Sequence, residues 1–152
     1  MKKQILILIL ILNWHFIHAQ FSEGGTPASF SMDVMPKEIP ARVMPEIDVQ
    51  SLLEEDAKRG DAPGPFRFGY IHEVDIDIKK AGIHKQLPNG NNLWLLKIHA
   101  PNAYSINLIY NRFHLAEGSR LFIYNEDRTM ILGAFTPETS NNPFNEFATD
   151  LV

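Results

Sequence analysis

The 152-residue chain contains no cysteine. A thiol nucleophile, a thiolate metal site, a lipid-modified cysteine behind a leader and a structural disulfide are all excluded, so an exported form must be held together by core packing. Uninterrupted apolar sequence is short: the alternating Ile and Leu of Ile5–Leu12 give way to Asn13, His15 and His18. A membrane-spanning helix needs about 20 apolar residues, so this run does not qualify. Basic charge is also scarce, with 14 Lys and Arg against 18 Asp and Glu. That balance argues against nucleic acid or an anionic membrane as partner. No glycine-rich phosphate loop precedes a helix. None of Ser22, Ser29, Ser31, Ser51, Ser105, Ser119 and Ser140 lies in a nucleophile elbow of the G-x-S-x-G kind or in a glycine-rich oxyanion turn. The chain by itself carries no catalytic machinery, and no cofactor is expected.

What is present begins with Lys2 and Lys3, followed by the Ile5–Leu12 core and a small residue at Ala19, after which Gln20 opens a polar stretch. A basic start, a short apolar core and a small residue at the cut form the pattern of a cleavable secretory leader. The sequence therefore predicts removal of residues 1–19, between Ala19 and Gln20, and export to the periplasm, cell surface or medium. Lys2 and Lys3 leave with the leader, so basic residues fall from 14 to 12 against 18 acids and the mature charge is −6.

Residues 20–65 read as a Pro-rich extended arm. Pro27, Pro36, Pro40, Pro45, Pro63 and Pro65 disfavour long helices and central strands. One short helix is predicted near 48–59: Asp48 can cap it, Val49, Leu52, Leu53 and Ala57 share a face, and Lys58, Arg59 and Gly60 close it. From Phe66 the period becomes two. Phe66, Phe68, Tyr70, His72, Val74, Ile76 and Ile78 alternate with Arg67, Gly69, Glu73, Asp75 and Asp77, which predicts a long strand with one buried face.

Leu87-Pro88-Asn89-Gly90-Asn91-Asn92 marks a turn, since Asn-Gly favours positive φ. Further strands are expected at Leu93–His99, Tyr104–Tyr110, Leu121–Tyr124 and Met130–Phe135, with turns at Glu117-Gly118 and Asn125–Arg128. The spacing predicts an all-β fold over residues 66–152, an antiparallel β-sandwich or jelly roll behind the arm. Phe147–Val152 reads as the start of another strand, and the sandwich is expected to be incomplete at its C-terminus, as in a truncated product.

Three carboxylates, Glu73, Asp75 and Asp77, fall on one face of the predicted strand and are candidates for Ca²⁺. Neighbours on that face sit roughly 6.6 Å apart, too far for two to share an ion without loop ligands, so a solvated face is the preferred reading. His72, His84, His99 and His114 show no H-x-H or H-x-x-x-H spacing, and no metal site is assigned to them. Trp94, Tyr104, Tyr110, Phe122 and Tyr124 could build a sugar-stacking platform, although aromatics at period two more often fill a core. On that basis the alternative function is a free-standing secreted sandwich that binds a glycan or a cell-surface partner.

Several strings, taken in order, resemble a known family. Gly24-Gly25-Thr26-Pro27-Ala28-Ser29-Phe30 is similar to the G-G-x-P-x-S-F opening found in secreted bacterial proteases and their pro-regions. Arg67-Phe68-Gly69 followed by Val74-Asp75-Ile76-Asp77 resembles their R-F-G/A…V-D-x-D run. Leu87-Pro88-Asn89-Gly90 with Leu93-Trp94-Leu95-Leu96-Lys97-Ile98 matches L-P-N-G-x-x-x-W-x-L-K-I. Asn107–Tyr110, Leu115–Asn125 and Leu132–Thr136 complete the set. Together they resemble the N-terminal pro-region of lysyl endopeptidase precursors, which are secreted trypsin-like serine proteases. The resemblance implies a non-catalytic pro-domain that assists folding of the protease and keeps it latent. Its partner would be the catalytic domain of the precursor, which carries the His, Asp and Ser that this chain does not supply.

On export from a Gram-negative host, the protein is expected to begin at or near Gln20. Intact-mass analysis of the exported chain checks this, and a retained Met1 would overturn the leader assignment.

Overall fold

A computed structural model describes residues 22–31, 38–60, 63–140 and 144–152. The leader and the Ala19–Gln20 junction lie outside these. The described residues form two compact units, one within Pro27–Ile106 and one that combines Ser22–Thr26 with residues from Asn107 to Val152.

The Pro27–Ile106 unit opens with a 3₁₀ turn, Ala28–Ser31, whose Ser29 is buried. Strand β1, Ala41–Val43, lies between Pro40 and Pro45 and pairs in parallel with β4, Lys97–His99. Pro40 lends its carbonyl to Lys97 N–H at 3.0 Å, and Met44 N–H reaches His99 O at 2.8 Å. The proline-rich arm is thus not merely extended: three residues between prolines suffice for a short ladder. Helix α1, Val49–Arg59, forms where a short helix is expected near 48–59. Asp48 Oδ1 accepts from Ser51 N–H at 3.0 Å and Gly60 ends the helix, an N-cap of a kind that stabilises by about 1 kcal/mol. Strands β2, Ile83–Gln86, and β3, Asn92–Leu95, form a hairpin about the expected turn, although the sequence reading places no strand at Ile83–Gln86. Its turn holds Gly90 at φ 85°, with Leu87 N–H bonded to Asn91 O at 2.7 Å.

In the other unit β5, Ile109–Tyr110, pairs antiparallel with β8, Phe147–Ala148. Strand β6, Leu121–Tyr124, pairs antiparallel with β7, Ile131–Phe135, with a register shift at Leu121/Phe122. Asn125 closes that hairpin, its Oδ1 accepting from Thr129 N–H and Met130 N–H at 2.9 and 3.0 Å. Gly133 is required where it stands: at φ 110° an added Cβ would lie 2.4 Å from Leu121 O. The segment Ser22–Gly24 docks on β7, with Glu23 N–H bonded to Ala134 O and Ala134 N–H to Gly24 O. Thr149, buried, donates its backbone N–H to Leu108 O at 3.0 Å and accepts Leu108 N–H on its hydroxyl at 3.1 Å, while the Asn107 amide donates to Thr149 O.

The core of this unit is aromatic. Phe147 stacks on Phe113 at 4.5 Å between centroids, meets Phe135 edge-on at 4.7 Å, and Tyr110 lies 5.2 Å from Phe113. Phe113 is 3% exposed. Truncating such a residue to Ala typically costs about 3–5 kcal/mol, comparable to the roughly 5–15 kcal/mol of a whole domain.

The all-β sandwich is not what the chain forms. The described residues give four separate two-stranded pairs, one of them parallel, together with α1, α2 (Ile78–Ala81) and α3 (Pro137–Ser140), a mixed α/β arrangement without sandwich or barrel. No pair gains a third strand among the described residues, so no sheet is broad enough to stack on another. The predicted long strand from Phe66 to Ile78 is unpaired, and its end becomes the start of α2 because Asp77 caps that turn through Lys79 N–H at 2.9 Å. Alternation makes a segment suitable for a sheet, but only a partner's N–H and C=O groups make it a strand. The predicted strands at Leu93–His99 and Tyr104–Tyr110 are shorter for the same reason: the first breaks at Leu96 and serves two partners, and the second pairs only at Ile109 and Tyr110.

Burial pushes the Tyr110 hydroxyl up from 10.0 to about 12. The folded value lies above the unfolded one, so Tyr110's contribution is intact below pH ~10 and is lost as pH rises through ~12, an effect on the order of 3 kcal/mol. Tyr110→Phe is therefore expected to leave stability at neutral pH nearly unchanged and to lose less of it than the native chain between about pH 10 and 12. Urea unfolding followed across that range checks this.

Candidate functional site

Among the described residues, the most exposed apolar stretch is the unpaired segment 65–77. It leaves α1 through the Gly64-Pro65 link and is tied to that helix by Arg67. The guanidinium Nη2 lies 2.9 Å from Glu55 Oε2, Nε lies 3.5 Å from Asp56 Oδ1, and Nη1 donates to Leu52 O at 3.5 Å. The hydrogen bond to Glu55, followed by the charge of Asp56, raises the Arg67 pKa further above its ordinary value. The far end is fixed by Asp77. Its carboxylate caps α2 and pairs with Lys80 at 3.5 Å, and its carbonyl accepts from Lys80 and Ala81 N–H.

Between those anchors the backbone is open. Phe66, Phe68, Gly69, Ile71, Glu73 and Val74 make no backbone hydrogen bond to another described residue. Phe66 is 91% exposed, Phe68 95% and Ile71 71%. The only ring contact within the segment is between Tyr70 and His72, 5.1 Å apart. A row of apolar side chains beside unmet backbone donors and acceptors is what another chain can pair with.

Glu73, Asp75 and Asp77 lie on this segment. Asp77 is engaged as a cap, and among the described residues no three His, Cys, Asp or Glu side chains gather where they could hold a metal. His84 Nε2 lies 2.8 Å from Asn92 Oδ1 with its ring 4.8 Å from Trp94, and Lys79 Nζ sits 5.7 Å above that indole. The platform aromatics divide between the two units: Trp94 packs on His84, Tyr104 stands fully in solvent, Tyr110 enters the phenylalanine cluster, and Phe122 and Tyr124 lie on β6. Tyr104 borders an open depression with Glu46, Asp48 and Asn102, whose amide donates to Glu46 Oε1 at 2.9 Å. Ser22 and Ser31 donate to the carbonyls of Gly133 and Ala28.

Sequence reasoning missed that the alternating segment is bare and that Arg67 holds it. The signal for the second was present: Arg67 is the first cation beyond the Gly60 that closes α1, the helix carrying Glu54-Glu55-Asp56, across a link with Pro63 and Pro65. No family model, no curated protein and no solved structure matches the chain significantly.

Arg67→Ala is expected to free the start of the segment without unfolding the unit. Chymotryptic cleavage after Phe66 and Phe68 should accelerate severalfold, while the melting midpoint shifts by no more than about a degree, because exposed ion pairs add little to global stability. Limited proteolysis beside a thermal melt checks both.

Proposed function

We propose that the exported chain is a non-catalytic pro-region of the lysyl endopeptidase type, assisting the folding of a trypsin-like catalytic domain and holding it latent. The ordered run of strings from Gly24 to Thr136 carries this reading. Those strings also fall on ordered features: Leu87–Gly90 on the β2–β3 turn, Leu121–Tyr124 on β6, Leu132–Phe135 on β7, and Gly24 on the segment docked to β7. The leader pattern and the absence of a thiol or serine nucleophile motif are consistent with a secreted, non-catalytic role. A pro-region acts by binding, so it needs surface for a partner, and the bare segment offers it.

The test is refolding in trans. A secreted lysyl endopeptidase catalytic domain, denatured and diluted with purified residues 20–152, is expected to recover activity severalfold above dilution with serum albumin. The native enzyme is expected to be inhibited by the same chain before it degrades it. Recovery equal to the albumin control, with no inhibition, would overturn the proposal.

A further inference from the structure

The segment 65–77 complements itself, and we infer that two copies of the chain pair through it as an antiparallel two-stranded ribbon about a two-fold axis at Ile71. This does not rest on the pro-region reading. Three observations lead to it. First, the backbone of Phe66, Phe68, Gly69, Ile71, Glu73 and Val74 has no backbone partner among the described residues, and Phe66, Phe68 and Ile71 lie largely in solvent. Second, the segment is fixed at both ends, by Arg67 on α1 and by Asp77 on α2, so pairing would order a stretch already held at its limits.

Third, the order of side chains suits antiparallel pairing of identical strands. Apolar faces meet only when residue numbers across the pair sum to an even value, because a slip of one exposes the apolar row. The midpoint of 65–77 is Ile71, so centring there pairs the whole length. Phe66 then faces Ile76, Phe68 faces Val74 and Tyr70 faces His72. On the polar side Arg67, already beside Glu55 and Asp56, faces Asp75, Glu73 faces Gly69 and Asp77 faces Pro65, so no acid opposes an acid. Parallel pairing would instead stack Glu73, Asp75 and Asp77 on their own copies. A two-fold, self-complementary contact is isologous and closes at two chains.

The absence of cysteine makes the test specific. In this register residue 71 of one copy is directly opposite residue 71 of the other, at a Cα separation of about 4.5–5.5 Å, within disulfide reach. Residues 73 are displaced by four positions along the strand, roughly 13 Å, and cannot be bridged. Ile71→Cys is therefore expected to give a disulfide-linked dimer under mild oxidation, while Glu73→Cys remains monomeric on reducing-agent-free gels. Sedimentation velocity of the unmodified mature chain is expected to show a concentration-dependent monomer–dimer equilibrium. Phe68→Asp should weaken it by at least about tenfold without lowering the melting temperature, since Phe68 is bare in the monomer. A chain that stays monomeric at the highest soluble concentration overturns the inference, as does cross-linking at 73 equal to or faster than at 71.

Discussion

Pairing in isolated twos constrains the whole molecule. Among the described residues each strand finds one partner and no pair is joined by a third, so no sheet there presents a broad face and the apolar side chains must be covered locally. A lone pair of strands is marginally stable in water, and each pair here is supplemented by something else. The β2–β3 hairpin has α2 against it, β6–β7 receives the docked Ser22–Gly24 segment, and β5–β8 is pinned by Thr149 and Asn107. The parallel β1–β4 pair is extended by the Pro40 carbonyl and Met44 N–H.

Burial follows from that constraint. The Tyr110, Phe113, Phe135 and Phe147 cluster gathers side chains from β5, β7, β8 and the loop after β5, and among the described residues it is where several aromatics close over each other. Among the described residues of the Pro27–Ile106 unit Leu95 is the hydrophobic residue that is buried, while Phe66, Phe68 and Ile71 stay outside. Apolar surface left in water at that density is a liability for an isolated chain and an asset for one that associates. The inferred self-pairing and the proposed pro-region role draw on the same property, yet they are independent: a chain can dimerise through the segment without assisting any protease.

The anchoring of the segment shows how weak individual interactions acquire a structural role. Arg67, with two carboxylates and a helix carbonyl around it, fixes where the segment leaves α1, and Asp77 fixes where it enters α2. Exposed contacts of this kind add little to global stability, but they limit the conformations available between them. What lies between stays open, pairing with none of the described strands.

Local structure was legible in the residues. Asp48 and Gly60 bounded α1, Asn89-Gly90 turned β2 into β3, and Asn125–Arg128 turned β6 into β7, because capping and positive-φ turns are set by a few neighbouring side chains. Short apolar runs between turn signals also located β6 and β7. Which alternating segments became strands was decided elsewhere, since a strand exists only where a distant segment supplies complementary backbone groups. Phe66–Ile78 had the clearest alternation and found no partner, whereas Ala41–Val43, three residues between prolines, found one in Lys97–His99. The architecture therefore departed from a sandwich at the level of pairing. The bare segment held by Arg67 and Asp77 became visible only once the tertiary structure had allotted every other strand its single neighbour.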